Sequence, residues 1–390
     1  MTALERATRR GLAGTLERSW SGEAGSTPWT RLLLPASALY AAVAAGARDR
    51  AVAARRSVPG LYVISVGNLT VGGTGKTSLA RWLALQAVAL GASPAVLLRG
   101  HRASRRSRET EVAPDLDGYP VALAVDRVGD EAAALRSGLP RGATVAVDRD
   151  RYRAARTTRT GYGADVAVLD DGWDQGGLHW DELWVTLDPD RPQGNGAMLP
   201  AGPLRRPVST LREATVVAFI MEEEGVDLSD ATRRWVAGLA PHAPLLRFGR
   251  RLDGTAALGE GTVTPWAAGS LAAGLISGIG SPARLERFAL ASGIRLVAHT
   301  IFPDHARWSP EALREALRSA ARAGAGVVLI TEKDEPRWPA GLDSPLPVRA
   351  LRTSLRPLDP VDGALARLRA VVAARASIEP APIRTGQAGA

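Results

Sequence analysis

The stretch ISVGNLTVGGTGKTSLARWLA, residues 64–84, runs from a β-branched segment through a glycine-rich turn into Lys76-Thr77 and an Ala/Leu-rich helical segment. A strand, a glycine turn and a helix in this order make a phosphate site. Glycines let backbone N–H groups face an anion, the helix N-terminus adds positive potential, lysine reaches the outer phosphates and threonine holds magnesium. The strict pattern G-x-x-x-x-G-K-[ST] asks for glycine at position 70, where Thr70 stands; Gly75, Lys76 and Thr77 meet the rest. Thr70, Val71, Gly72, Gly73, Thr74, Gly75, Lys76 and Thr77 are therefore the expected phosphate cradle.

Outward from this turn, short β-branched runs alternate with Ala/Leu-rich stretches: Leu61–Val66, Ala95–Leu98, Ala143–Val147, Asp165–Leu169, Leu183–Leu187 and Thr215–Ile220. Such alternation predicts an α/β fold, a mostly parallel sheet of the P-loop NTPase kind with helices on both faces. The acidic run Glu222–Glu224 marks a boundary. Beyond it, strands near Ala272–Ser277, Arg295–His299 and Gly326–Thr331, with a helix at Pro310–Ala323, predict a smaller C-terminal α/β domain. The expected division is an N-terminal segment over 1–58, a P-loop core over 59–222, the smaller domain over 223–378 and a loose tail over 379–390. Sixteen residues without a charge, Leu32–Ala47, lie between Arg31 and the arginines 48, 50, 55 and 56. They are too few to span a bilayer, which takes about 20. They suit either a helix lying in an anionic interface, opened by Pro35, or a helix packed on the domain. No secretory signal is evident in residues 1–20, which carry mixed charge.

The chain has 390 residues, 45% of them hydrophobic and 23% charged, which excludes a mini-protein and a disordered chain. It has no cysteine, so disulfides, thiolate metal sites and cysteine nucleophiles are all ruled out. The net charge of +9 favours anionic partners. Only two residues are lysine, Lys76 and Lys333, and the other 47 of the 49 basic residues are arginine. Where arginine is written almost everywhere, a surviving lysine marks a place that a planar guanidinium would not suit. The arginines are dispersed and only five Tyr and four Phe are available for base stacking, so nucleic acid is not an expected partner.

A phosphate cradle needs an acidic anchor for magnesium at the end of a neighbouring strand. ADVAVLDDGWD supplies Asp170 and Asp171 directly after an apolar run. Val128-Gly129-Asp130-Glu131 precedes a helix, where Asp130 or Glu131 serves equally well as a helix-terminal residue. Among the five histidines, only His305 has a loop position with an adjacent carboxylate, Asp304. Thr331-Glu332-Lys333-Asp334 lacks the residues that read guanine.

Taken in order, VGNLTVGGTGKT (66–77), RGH (99–101), VGDE (128–131), DDG (170–172), GNGAMLPAGPLRRP (194–207), SGIGSPARLERF (277–288), FPDH (302–305) and TEKD (331–334) resemble the tetraacyldisaccharide 4′-kinase family. The resemblance spans about 270 residues and implies phosphoryl transfer from MgATP to the 4′-hydroxyl of a lipid A disaccharide 1-phosphate. It places the chain peripherally on the anionic cytoplasmic face of the inner membrane; a monomer is expected. It implies Lys76 and Thr77 as P-loop residues, Thr77, Asp170 and Asp171 on the metal side, and Asp130 with His305 as a catalytic dyad drawn from two lobes. Asn68, Arg99, Glu131 and Arg205 are the candidate acceptor contacts. The chain departs from the family in three places. The usual DDG-x-Gln-His-Arg-Arg continues here as Trp173, Asp174, Gln175, Gly176 and Gly177; Leu-Arg-Glu becomes Leu204-Arg205-Arg206; and Ser78 follows the P-loop threonine in place of proline. A P-loop switch without a lipid acceptor is the alternative.

Overall fold

Seven consecutive buried residues, Tyr62–Asn68, form β1, the apolar run of a strand covered on both faces. The computed structural model describes Trp20 and residues 28–100, 109–113, 128–174, 176–223, 225–267, 271–303, 308–339 and 341–376. The helices are α1 (Pro28–Ala53), α2 (Lys76–Ala89), α3 (Asp130–Ser137), α4 (Arg151–Tyr162), α5 (Asp230–Leu239), α6 (Pro282–Ala291), α7 (Pro310–Arg322) and α8 (Ala366–Ala376). After β1 the strands are β2 (Pro94–Leu98), β3 (Glu111–Val112), β4 (Thr144–Val147), β5 (Val166–Asp170), β6 (Glu182–Leu187) and β7 (Val216–Met221). The remaining five are β8 (Leu245–Ala257), β9 (Ala273–Ser277), β10 (Leu296–Ile301), β11 (Val327–Thr331) and β12 (Val348–Pro357).

All twelve join one sheet in the order β10-β9-β11-β12-β8-β7-β6-β1-β5-β2-β4-β3. Pairing is parallel except between β8 and β12 and between β3 and β4. β1 lies between β5 and β6, while the chain leaves β1 for β2 on the far side of β5. The carboxyl ends of β1 and β5 thus open the crevice where ligands sit in such sheets. One face of this half packs Val66, Leu79, Leu83, Ile220 and Phe248, with Trp82 edge-on to Phe248 at 4.8 Å. The other packs Leu69, Trp173, Leu183 and Phe219. The strands on either side of the expected 222/223 boundary continue as one sheet, because β8 pairs with β7 on one side and with β12 on the other.

α1 is longer than the apolar run that signals it. It begins at Pro28, holds Pro35 inside, and continues past Arg48 to Ala53, so Pro35 does not open it. Proline in the first turn is the favourable arrangement and Pro28 takes that place. Among the described residues it is the one helix long and apolar enough to cross a membrane. One side docks on the protein: the Ser37 hydroxyl donates to the Met198 carbonyl at 3.0 Å and accepts from the Ala201 amide at 3.0 Å. Another leaves Leu32, Leu39 and Val43 71%, 68% and 62% exposed.

Candidate active site

The turn after β1 is shaped by its neighbours. Gly72 and Gly75 hold φ of 118° and 88°, and a Cβ on Gly75 would stand 2.6 Å from Ile220. A side chain there would be both strained and obstructed. Thr70 does not require glycine: among the described residues Asp171 alone has positive φ without being glycine, and Thr70 instead bridges antiparallel to Leu204. The Val71 amide donates to Pro203 and the Arg205 amide to Leu69, both at 2.8 Å, so the segment after Gly202 is stitched to the P-loop. Asn68 braces the loop from beneath, its amide donating to the Thr70 carbonyl at 2.6 Å and to the Thr74 hydroxyl at 3.1 Å. Thr74 is itself buried and meets the Thr186 hydroxyl at 2.7 Å.

At the head of α2, the Thr77 hydroxyl donates to Asp170 at 2.7 Å, and Lys76 lies 3.9 Å from Asp171. Arg205 grips both Asp171 oxygens, at 2.8 and 3.1 Å, and also donates to the Asn68 side-chain oxygen. The two adjacent carboxylates respond in opposite directions. Burial raises Asp170 to about 6, only partly offset by the Thr77 bond. Burial also acts to raise Asp171, but the Arg205 bonds and Lys76 outweigh it and hold that carboxyl at about 2. Burial lowers Lys76, with Asp171 opposing.

Asp170 has a consequence for stability. Its folded value lies above the ordinary 3.8, so the folded chain keeps a proton that the unfolded chain has released, and stability falls as pH rises from about 4 through 6. Asp170→Asn, which can still accept from Thr77, is expected to stabilise the metal-free protein at pH 7 by about 2 kcal/mol. Thermal unfolding at pH 4 and pH 7 checks this; an unchanged or lower midpoint at pH 7 contradicts it.

These residues face a cavity of about 970 Å³. Its lining includes the P-loop from Thr70 to Thr77, Arg99, Glu131, Asp170, Asp171 and Arg205, all singled out from sequence. Asp130 is placed differently. Its carboxylate is held by Arg337, with contacts of 2.6 and 2.7 Å, and Arg337 also bonds the Gly278 carbonyl and the buried Asp334. The neighbouring Glu131 faces the cavity and lies 3.4 Å from Lys333. His305, expected beside Asp130, lies outside the described residues, as do His101, Asp304 and Gln175.

Several residues at the site are not among the site candidates read from the sequence, although Arg284 lies within the SGIGSPARLERF stretch. Arg284, at the start of α6, donates to the Gly73 carbonyl at 3.1 Å and the Ile220 carbonyl at 2.9 Å, and pairs with Glu222 at 2.9 Å. Arg250 on β8 pairs with the same Glu222 at 2.8 Å and donates to the Ser78 hydroxyl at 3.3 Å, which gives the unusual serine a partner. The other departures are also accommodated. Arg206 is buried, bonds Asp174, lies 4.2 Å over the Trp173 ring and donates to the Trp173 carbonyl. Gly176 lets α1 approach, since a Cβ there would stand 3.0 Å from Ala51.

A mostly parallel sheet whose central strand ends in a glycine turn, with lysine, threonine and a strand-end carboxylate pair around one cavity, defines a P-loop nucleotide-binding protein. The family model described as tetraacyldisaccharide-1-P 4′-kinase matches residues 29–370, and the chain belongs to this family. It is 37% identical over 303 residues to a tetraacyldisaccharide 4′-kinase of Geobacter sulfurreducens, covering 76% of this chain and 80% of that protein. To the tetraacyldisaccharide 4′-kinase of Anaeromyxobacter sp. (strain K) it is 34% identical over 385 residues, covering 95% and 98%. In fold it is similar to an LpxK from Aquifex aeolicus, solved as an "apo" form in complex with ATP. That likeness has a TM-score of 0.66 at 23% identity, covering 89% of this chain and 99% of the other.

Proposed function

We propose that the protein transfers the γ-phosphoryl group of ATP to the 4′-hydroxyl of a tetraacylated disaccharide 1-phosphate, the lipid A precursor. One observation carries this reading: a single cavity is lined by the P-loop and also by Tyr40, Ala44, Ala47 and Arg48 of α1. The chamber that takes phosphates is therefore continuous with the apolar helix, as an acceptor with a polar head and acyl chains requires.

In this reading the amides of residues 70–77 and the Lys76 ammonium bind the triphosphate. The oxygens of Thr77, Asp170 and Asp171 suit Mg2+, which takes one or two carboxylates together with substrate phosphates and waters. The desolvated Asp170 carboxylate, bonded to the neutral Thr77 hydroxyl, is a group a cation would stabilise. When bound, Mg2+ neutralises charge on the phosphoryl oxygens. Asp130 accepts the proton of the 4′-hydroxyl as that oxygen bonds the γ-phosphorus and ADP leaves with the former bridging oxygen; His305 shares the proton. Asp130 must then exchange its Arg337 contact for the acceptor. Asn68, Arg99, Glu131 and Arg205 orient the two substrates, Arg205 by fixing Asp171 and Asn68. The test is incubation with ATP and the glycolipid, followed by mass spectrometry of the lipid. Gain of one phosphoryl group with matching ADP release is expected; ADP release at the same rate without any lipid would favour a switch instead.

The exposed stripe of Leu32, Leu39 and Val43, near Arg31, Arg48 and Arg50, fits the anionic cytoplasmic face of the inner membrane. Replacing Leu39 and Val43 together by aspartate is expected to weaken binding to phosphatidylglycerol-containing vesicles about tenfold or more, since each apolar side chain contributes about 1.5–3 kcal/mol when buried. Co-sedimentation measures this, and undiminished binding would remove α1 as the contact.

A further inference from the structure

Lys333 is one of only two lysines in the chain, and it has no part in the function described above. Both lysines line the same cavity, Lys76 from the head of α2 and Lys333 from the turn that follows β11. The turn is pinned on either side of Lys333. Glu332 is paired with Arg81 of α2 at 2.9 Å, which ties it to the P-loop helix. Asp334 is fully buried, accepting from the Thr331 hydroxyl at 2.7 Å and from the Gly278 amide at 3.2 Å. The backbone is thereby fixed while the Lys333 side chain, 31% exposed, reaches Glu131 at 3.4 Å. Glu131 in turn lies close enough to Lys76 and Asp170 for its charge to act on both.

An ammonium on a four-carbon stem is a compact charge that can swing between a carboxylate and a phosphate, whereas a guanidinium is a rigid planar fork. In a chain that uses arginine at 47 of its 49 basic positions, lysine stands at two places around one cavity, and the first is the P-loop lysine. We infer that Lys333 is a second phosphate-engaging lysine, which leaves Glu131 for the γ-phosphoryl oxygens when ATP fills the cavity. This rests on the ATP-dependent kinase reading. It makes Lys333 a γ-phosphate contact and adds to the electrostatic stabilisation on which phosphoryl transfer depends.

The test is calorimetric binding of ATP and of ADP, with magnesium and without acceptor, to the full chain and to Lys333→Met and Lys333→Gln. Loss of a charge-assisted contact predicts ATP affinity lower by about tenfold or more in both variants. ADP affinity should stay close to that of the unaltered chain, which also reports an intact cradle. Lys333→Arg is expected to recover ATP affinity only in part. Unchanged ATP affinity in the neutral variants, or equal losses for ATP and ADP, would overturn the inference while leaving the kinase reading intact. Failure of the unaltered chain to bind ATP would overturn both.

Discussion

Lys76→Ala is expected to lower the rate of transfer to the glycolipid by about 10²–10³-fold, the scale for removing one preorganised group that meets developing charge. The Lys76 ammonium heads α2, lies 3.9 Å from Asp171 and faces the cavity. Burial makes its charge costly, as the lowering of its ionisation shows, and an anion beside it would relieve that cost. Nucleotide affinity should fall as well, since the same group binds ATP before the reaction. The fold should persist, because the helix is otherwise anchored by the buried Leu79, Ala80, Trp82 and Leu83. Transfer by the variant within a fewfold of the unaltered enzyme would contradict the assignment.

Asp130→Asn is expected to cost about 10²–10⁴-fold in transfer, the range for removing a general base. Unlike Lys76→Ala, it should leave ATP affinity nearly unchanged, because the Asp130 carboxylate faces Arg337 and not the cavity. The structure holds Asp130 in a half-buried network of Arg337, Asp334 and the Gly278 carbonyl. Asparagine can keep part of that contact while losing the capacity to take a proton. Single-turnover transfer and ATP binding, measured side by side, separate these outcomes. Full transfer would remove Asp130 from the chemistry, and loss of ATP binding would make it a structural residue.

The P-loop half of the fold was legible because its strands are buried on both faces and so read as unbroken apolar runs, while glycine, lysine and threonine sit where backbone geometry demands them. β8 and β12 were not legible. Their sequences, LLRFGRRLDGTAA and VRALRTSLRP, interleave arginines whose charge hides the strand pattern, and those arginines find partners only in the folded chain. Arg247 meets Asp359, Arg250 meets Glu222 and Arg352 meets Glu335. α1 was legible as an apolar run but not in length, since helix propensity carries it past the charges that ended the run. At the site, Lys76, Thr77, Asp170 and Asp171 belong to local motifs. The contacts of Arg337 with Asp130, 207 residues apart, and of Arg284 with Gly73, 211 apart, arise from the sheet order and have no local signature.

The glycine turn between β1 and α2 is expected to cradle the triphosphate that is transferred. The most direct measurement is a crystal structure of the full chain with magnesium and a non-hydrolysable ATP analogue. The β- and γ-phosphates are expected within hydrogen-bond reach of the amides of residues 72–77 and of the Lys76 Nζ. A triphosphate bound outside this cavity, with the turn closed on itself and Lys76 still on Asp171, would contradict it.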